Sequence, residues 1–194
     1  MRTLPLIAAA LAFSSSTAQA GGLGLLATGG MHAERAYYYD TDGNQGIDSQ
    51  IRPNGGVGGE LLLGDKDDKV LGFGRFYLLS DAPTTEPDTQ GIDDAIYPDA
   101  HEQGAENVGV MTVGIQWSLW GDSSGMQVVL NSLAGSGFVT VDNLEFMLLE
   151  VGGGATYAFN ERVQAYGNVA TTARYRKNFS FGGNAYAGVR YMFD

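Results

Sequence analysis

The chain has no cysteine, and only five prolines, two histidines and two tryptophans among its 194 residues. Without a thiol it can form no disulfide scaffold, no thiolate zinc centre, no cysteine nucleophile and no lipidated N-terminal cysteine. Charged residues are also scarce, at 17%, and basic ones scarcer still, which leaves a formal charge of −11. That balance excludes phosphate-tracking contact with nucleic acid, which needs a basic face. Beyond residue 20 no run approaches the ~18 continuous apolar residues of a membrane-spanning helix. What is abundant is glycine, 29 residues, together with ten tyrosines and nine phenylalanines. The glycines follow no collagen period and sit among alternating apolar residues, which points to sheet.

Residues 1–20 read as a secretory signal peptide. Met1-Arg2 gives a positive start, Leu4 to Phe13 a short apolar run, and Ala18-Gln19-Ala20 a small-x-small cleavage site. The mature chain, 21–194, then holds ten basic and 22 acidic residues, a net of −12. It reads as one domain.

Eight stretches alternate with a period of two, the signature of half-buried strands. In Val163–Tyr175 the odd positions are mostly apolar, while the even ones include Gln164, Asn168, Thr172 and Arg174. In Phe179–Phe193 the odd face is again apolar, opposite Ser180, Asn184 and Arg190. The same logic covers Leu23–Glu34, Val57–Leu63, Val70–Leu78, Met111–Leu119, Met126–Asn131 and Met147–Tyr157. Short turns are expected at 64–69, 121–125 and 160–162, and longer links at about 37–54, 81–107 and 135–143, with a shorter one near 176–178. An even number of strands with connections alternating in length predicts an all-β fold: an eight-stranded antiparallel transmembrane β-barrel with long extracellular loops and short periplasmic turns. The competing architecture, a soluble barrel or sandwich, would turn the apolar faces inward.

Aromatic residues favour the membrane form. Trp117, Tyr157, Phe159, Tyr191 and Phe193 cluster toward the short-turn ends, while Tyr37–Tyr39, Phe76, Phe146, Tyr175 and Phe179 are assigned to the long-loop ends. Two aromatic bands around a barrel are what interfacial girdles look like.

Tyr157-Ala-Phe159-Asn-Glu-Arg-Val and the ending Tyr186-Ala-Gly-Val-Arg-Tyr191-Met-Phe193 resemble small bacterial outer-membrane β-barrels of the OmpA/OmpX-like type. The resemblance is strongest over roughly 144–194. It implies an outer-membrane location in a Gram-negative envelope, contact with outer-membrane lipids, and recognition by the barrel-assembly machinery through the terminal strand. The chain departs from the pattern in that Asp194 follows Phe193. No catalytic motif comes with the resemblance.

With apolar faces outward, Glu34, Glu60, Arg75, Glu150, Arg174 and Arg190 fall inside, three acids against three bases. Buried charges persist when paired, and an eight-stranded barrel is only wide enough for its own side chains. A filled lumen crossed by ion pairs is therefore expected. Outside, 81–107 carries eight acidic residues and no lysine or arginine. Asp40, Asp42, Asn44 and Asp48 resemble part of a calcium loop, but Ile51 stands where its final glutamate belongs. No other cofactor is suggested.

His32 and His101 are the only histidines, and Ser123, Ser124, Ser132 and Ser136 lack a nucleophile-elbow sequence. A non-enzymatic role is expected: a surface interaction or envelope-structural barrel, working through acidic loops 37–54 and 81–107 on envelope or surface proteins. A small porin-like channel, or a barrel subunit of a larger envelope complex, is the alternative. A lipid-active outer-membrane enzyme has the least support.

Overall fold

A computed structural model describes residues 21–39, 42, 44–82, 107–140, 143–175 and 179–193. Residues 1–20, expected to be a signal peptide, and Asp194 lie outside these residues.

All eight expected strands form, and they are longer than the alternation suggested. They are β1 (Gly21–Tyr39), β2 (Gln45–Leu63), β3 (Val70–Asp81), β4 (Asn107–Gly121), β5 (Met126–Thr140), β6 (Asn143–Ala158), β7 (Val163–Tyr175) and β8 (Phe179–Met192). Each pairs antiparallel with its neighbours in sequence, and β1 closes on β8 through pairs such as Leu23↔Tyr191 and Ala33↔Phe181. A closed barrel leaves no edge unpaired around its wall.

Three tight turns close one end. In the first, Gly64 takes a φ of +124°, and the Asp68 carboxylate accepts from the Asp65 amide at 2.9 Å. Gly121, at φ +91°, opens the second, where Asp122 accepts from the Ser124 amide at 3.0 Å. Asn160 organises the third by accepting from the amides of Arg162 and Val163, both at 2.9 Å. These left-handed glycines and Asx-type turns are ordinary devices for reversing a chain.

At the other end two expected long links are corrected. Positions 37–39 and 45–54 are paired strand, so only 40–44 separates β1 from β2. Likewise β5 and β6 run to within residues 141–142 of each other, although 135–143 read as a link. The 81–107 connection keeps its expected bounds, leaving 25 residues between β3 and β4.

Pro53 explains part of the first misreading. Its carbonyl accepts from the Ala82 amide at 2.8 Å, so its nitrogen faces the same side, just past the end of β3. A strand tolerates proline where no ladder partner needs its N–H.

Polarity is inverted relative to a soluble barrel. Leu25 is 77% exposed, Val169 67% and Leu149 61%, and comparable apolar side chains ring the wall on every strand. The alternate positions point inward and carry the buried polar and charged side chains, interspersed with apolar ones such as Leu62, Leu79 and Val110. Glycine fills the inward positions that admit no side chain. At Gly154, for instance, a Cβ would lie 2.0 Å from the carbonyl oxygen of Gly167.

Candidate functional site in the barrel lumen

The inward charges sort into two groups. Near the tight-turn end, β2, β3, β6 and β8 contribute Glu60, Arg75, Glu150 and Arg190. All four are at most 3% exposed. Arg75 donates from Nη1 to Glu150 Oε1 at 2.5 Å, and its Nε faces Glu60 Oε2 at 3.8 Å. Arg190 donates from Nε to Glu60, and from Nη2 to Gln116 Oε1 at 3.1 Å. The second oxygen of Glu150 accepts from the Tyr186 hydroxyl at 2.5 Å. Acid and base thus alternate along Glu150–Arg75–Glu60–Arg190.

Aromatic rings wall this chain of charges. The Arg75 guanidinium lies 3.9 Å from the Tyr186 ring centre, and that of Arg190 lies 4.2 Å from the ring of Tyr166. Such stacking stabilises a desolvated guanidinium more than an exposed one. The ring of Phe73 lies beneath both arginines.

Toward the opposite end, Arg174 donates from Nη1 to Asp81 Oδ2 at 3.0 Å and contacts His32 Nδ1 at 3.1 Å. His32 lies 3.7 Å from the same carboxylate, and the ring of Phe146 packs against the guanidinium. Nearby, Arg52 donates from Nε to the Ala82 carbonyl at 2.9 Å. Asp81 and Arg52 therefore hold the point where β3 ends.

Of the six expected lumen charges, Glu60, Arg75, Glu150 and Arg190 form one network and Arg174 belongs to the other. The Glu34 side chain lies outside the described residues. Asp81 is corrected from a loop acid to a buried ion-pair partner. Arg52 and Glu145 are buried too, though neither was expected there. Among the described residues, the four buried arginines are matched in number by four buried acids.

Phe146 is corrected as well, since it packs inside instead of joining an aromatic band. The β5–β6 register shifts beside it, from Gly137↔Phe146 to Phe138↔Leu144, which leaves Glu145 as an extra residue. A bulge of this kind turns two consecutive side chains to one face, and here both Glu145 and Phe146 are buried. Phe76 sits mid-strand, paired with Gly59 and Met111, and does not belong to an end band.

The expected girdle residues Trp117, Tyr157, Phe159, Tyr191 and Phe193 are all outward. Tyr157 meets Phe159, and Tyr191 meets Phe193, edge to face at 5.4 and 5.7 Å. Tyr175, Phe179 and Phe181 gather at the other end. The side chains of Tyr37–Tyr39 are not among those described.

Of the calcium-type residues, Asp42 and Asn44 are exposed, whereas Asp40 and the Asp48 side chain lie outside the described set. Among the described residues no three His, Asp or Glu side chains gather as a metal site would require. His101 and most of the acidic 81–107 segment also lie outside it. Ser123 donates to Asp67 and Ser124 to Asp122, within the tight turns.

Several buried polar atoms have no hydrogen-bond partner among the described residues, including Arg75 Nη2, Arg190 Nη1, the Tyr166 hydroxyl and both ends of the Asn168 amide. Such groups are ordinarily satisfied by internal water. The lumen is thus a polar, ion-paired core with apolar patches, such as Leu79, Val108 and Val110, packed into it.

No family model matches the sequence, and no curated protein is similar to it. Among solved structures the chain is similar to the Neisserial surface protein A, NspA, with a TM-score of 0.42 and 11% identity. That similarity covers 87% of this chain and 96% of the other. It is too distant to bear on function, and the barrel stands on its own strand pairing.

Proposed function

We propose that the protein is a non-enzymatic outer-membrane barrel, closed to solutes, which serves the envelope as a structural element and presents its acidic 83–106 segment as an interaction surface. The observation that carries this reading is the inverted polarity, with paired charges inside and apolar side chains around the whole wall. A soluble monomer rarely exposes apolar patches beyond a few hundred Å², whereas a bilayer requires an apolar wall with satisfied backbone. The aromatic residues gathered at both ends suit the two interfaces. Export by residues 1–20 and folding by the barrel-assembly machinery complete the proposed route.

The stacked and paired arginines favour a plug over a pore. Fractionated cell envelopes should hold the protein in the outer membrane, and purified protein in planar bilayers should give no steady large conductance. Sustained conductance would replace this reading with the porin-like alternative. The acidic segment is tested by replacing 83–106 with a short glycine turn. The barrel should persist, while salt-sensitive binding of a polylysine probe at the cell surface should be lost. Equal polylysine binding by the two proteins would remove the acidic segment from the proposal.

A further inference from the structure

At the tight-turn end a cleft of about 370 Å³ opens between the β2–β3 and β4–β5 turns. Asp67, Asp68, Lys69, Trp120, Asp122 and Gln127 line it. The two turns are tied across it, since Ser123 donates to Asp67 and the Ser118 amide to the Lys69 carbonyl at 2.8 Å. We propose that this cleft binds the headgroup of a phospholipid bearing a primary ammonium, of the phosphatidylethanolamine class, in the leaflet at the tight-turn end. The proposal rests on the membrane reading above.

Three independent features fit that ligand. First, β4 carries a bulge here, because Ser118 pairs with Val129 and Trp120 with Val128, which leaves Leu119 as the extra residue. Leu119 and Trp120 are consequently outward side by side, 63% and 67% exposed. An unbulged strand would turn one of them inward. The pair offers an apolar track for an acyl chain beside the cleft that both residues line.

Second, the charges have both signs but unequal number. One oxygen each of Asp67, Asp68 and Asp122 accepts a hydrogen bond within the turns. Their second oxygens have no hydrogen bond among the described residues, and the Lys69 ammonium has no ion pair there. An anionic headgroup would meet net negative charge. A zwitterion can set its phosphate against Lys69 and donate its ammonium hydrogens to the carboxylates. A trimethylated ammonium has no such hydrogens.

Third, the turn itself favours the ionised form of one of these acids, Asp122. The Ser124 hydroxyl and amide hold the Asp122 carboxyl below the usual carboxylate range.

The test uses the chain's own fluorophores, because its two tryptophans, Trp117 and Trp120, both lie at this end. Trp117→Phe leaves Trp120 alone. This variant is reconstituted in vesicles containing equal fractions of phosphatidylethanolamine, phosphatidylcholine and phosphatidylglycerol, with one class at a time brominated high on its acyl chains. Brominated phosphatidylethanolamine should quench most, reflecting a local enrichment of roughly twofold to fivefold, the scale of one or two exposed charge pairs. Adding Asp122→Asn, which keeps the turn's acceptor, should lower that preference while quenching by all three lipids persists. Equal quenching by the three classes overturns the headgroup site and leaves the membrane reading standing. No quenching by any of them overturns the membrane reading itself. Because the comparison among lipids needs no change to the cleft, a misfolded Asp122 variant does not blunt it.

Discussion

The two faces of one strand, β7, differ as much as any two parts of the molecule. Gln164, Tyr166, Asn168, Thr172 and Arg174 are buried in the lumen, while Gly167, Val169, Thr171 and Tyr175 stand outside. The buried side chains of this strand are thus mainly its polar ones. The inner face is held by pairing and geometry, where each charge has an assigned partner. In the proposed membrane setting the outer face is held by its match to an apolar surrounding, where no single contact matters much. Substitutions on the two faces should fail for different reasons.

The largest effect is expected inside. Glu150→Ala strips Arg75 of its closest acid and Tyr186 of its acceptor. An abandoned buried charge costs about 3–5 kcal/mol, to be read as a shift in urea-induced unfolding in lipid vesicles. Replacing Arg75 and Glu150 together with methionine and glutamine should recover much of that loss. A double variant as unstable as the single one would contradict the pairing account.

Next comes the outer wall. Val169→Arg places a charge at an exposed mid-strand position, and a bilayer midplane penalises that by about 2–4 kcal/mol. The same unfolding measurement in vesicles reads it. In a soluble barrel the change would be nearly silent.

A smaller contrast uses two glycines on neighbouring strands. Gly154→Ala would drive its Cβ against the Gly167 carbonyl, whereas Gly167→Ala meets nothing within 4 Å. The first should cost about 1–3 kcal/mol through backbone displacement, and the second should be neutral or slightly stabilising. Equal effects on the unfolding midpoint would show that the inner face is not tightly packed.

The smallest effect is electrostatic and exposed. Asp122 titrates below its unfolded value of 3.8 because Ser124 hydrogen-bonds its charged form. Its contribution is therefore complete above that pH and lost as the pH falls through the folded value. Asp122→Asn should flatten this part of the acid limb of a stability–pH curve, with a small loss of stability at neutral pH that disappears as the pH falls below the folded value. An unaltered acid limb would show that the Ser124 contacts do not favour the ionised carboxylate.

How legible the fold was depended on that same contrast between faces. Where inner polar and outer apolar residues alternate strictly, as in β7 and β8, the strand and its orientation could be read directly. The alternation fades in Gln45–Gln50, where polar residues occupy odd and even positions alike, so paired strand read as a loop. At Glu145-Phe146 the bulge resets the parity, and a ring assigned to an end band packs inside. Arg52 escaped notice because it lay in that supposed loop, and Asp81 because it begins a run of acids. The charges of the main lumen network were legible because each interrupts an otherwise apolar or small-residue strand. Which acid meets which base was not, since partners such as Arg75 and Glu150 lie on strands that are not neighbours in sequence.

In the proposed reading the apolar face of every strand looks outward into lipid. It is tested most directly by extracting outer membranes in mild detergent and comparing gel mobility with and without boiling. A lipid-facing wall should give a membrane-bound protein whose band shifts on heating, as a closed detergent-resistant barrel unfolds. A protein released into the soluble fraction, with one mobility at every temperature, would contradict it and require the apolar faces to be turned inward.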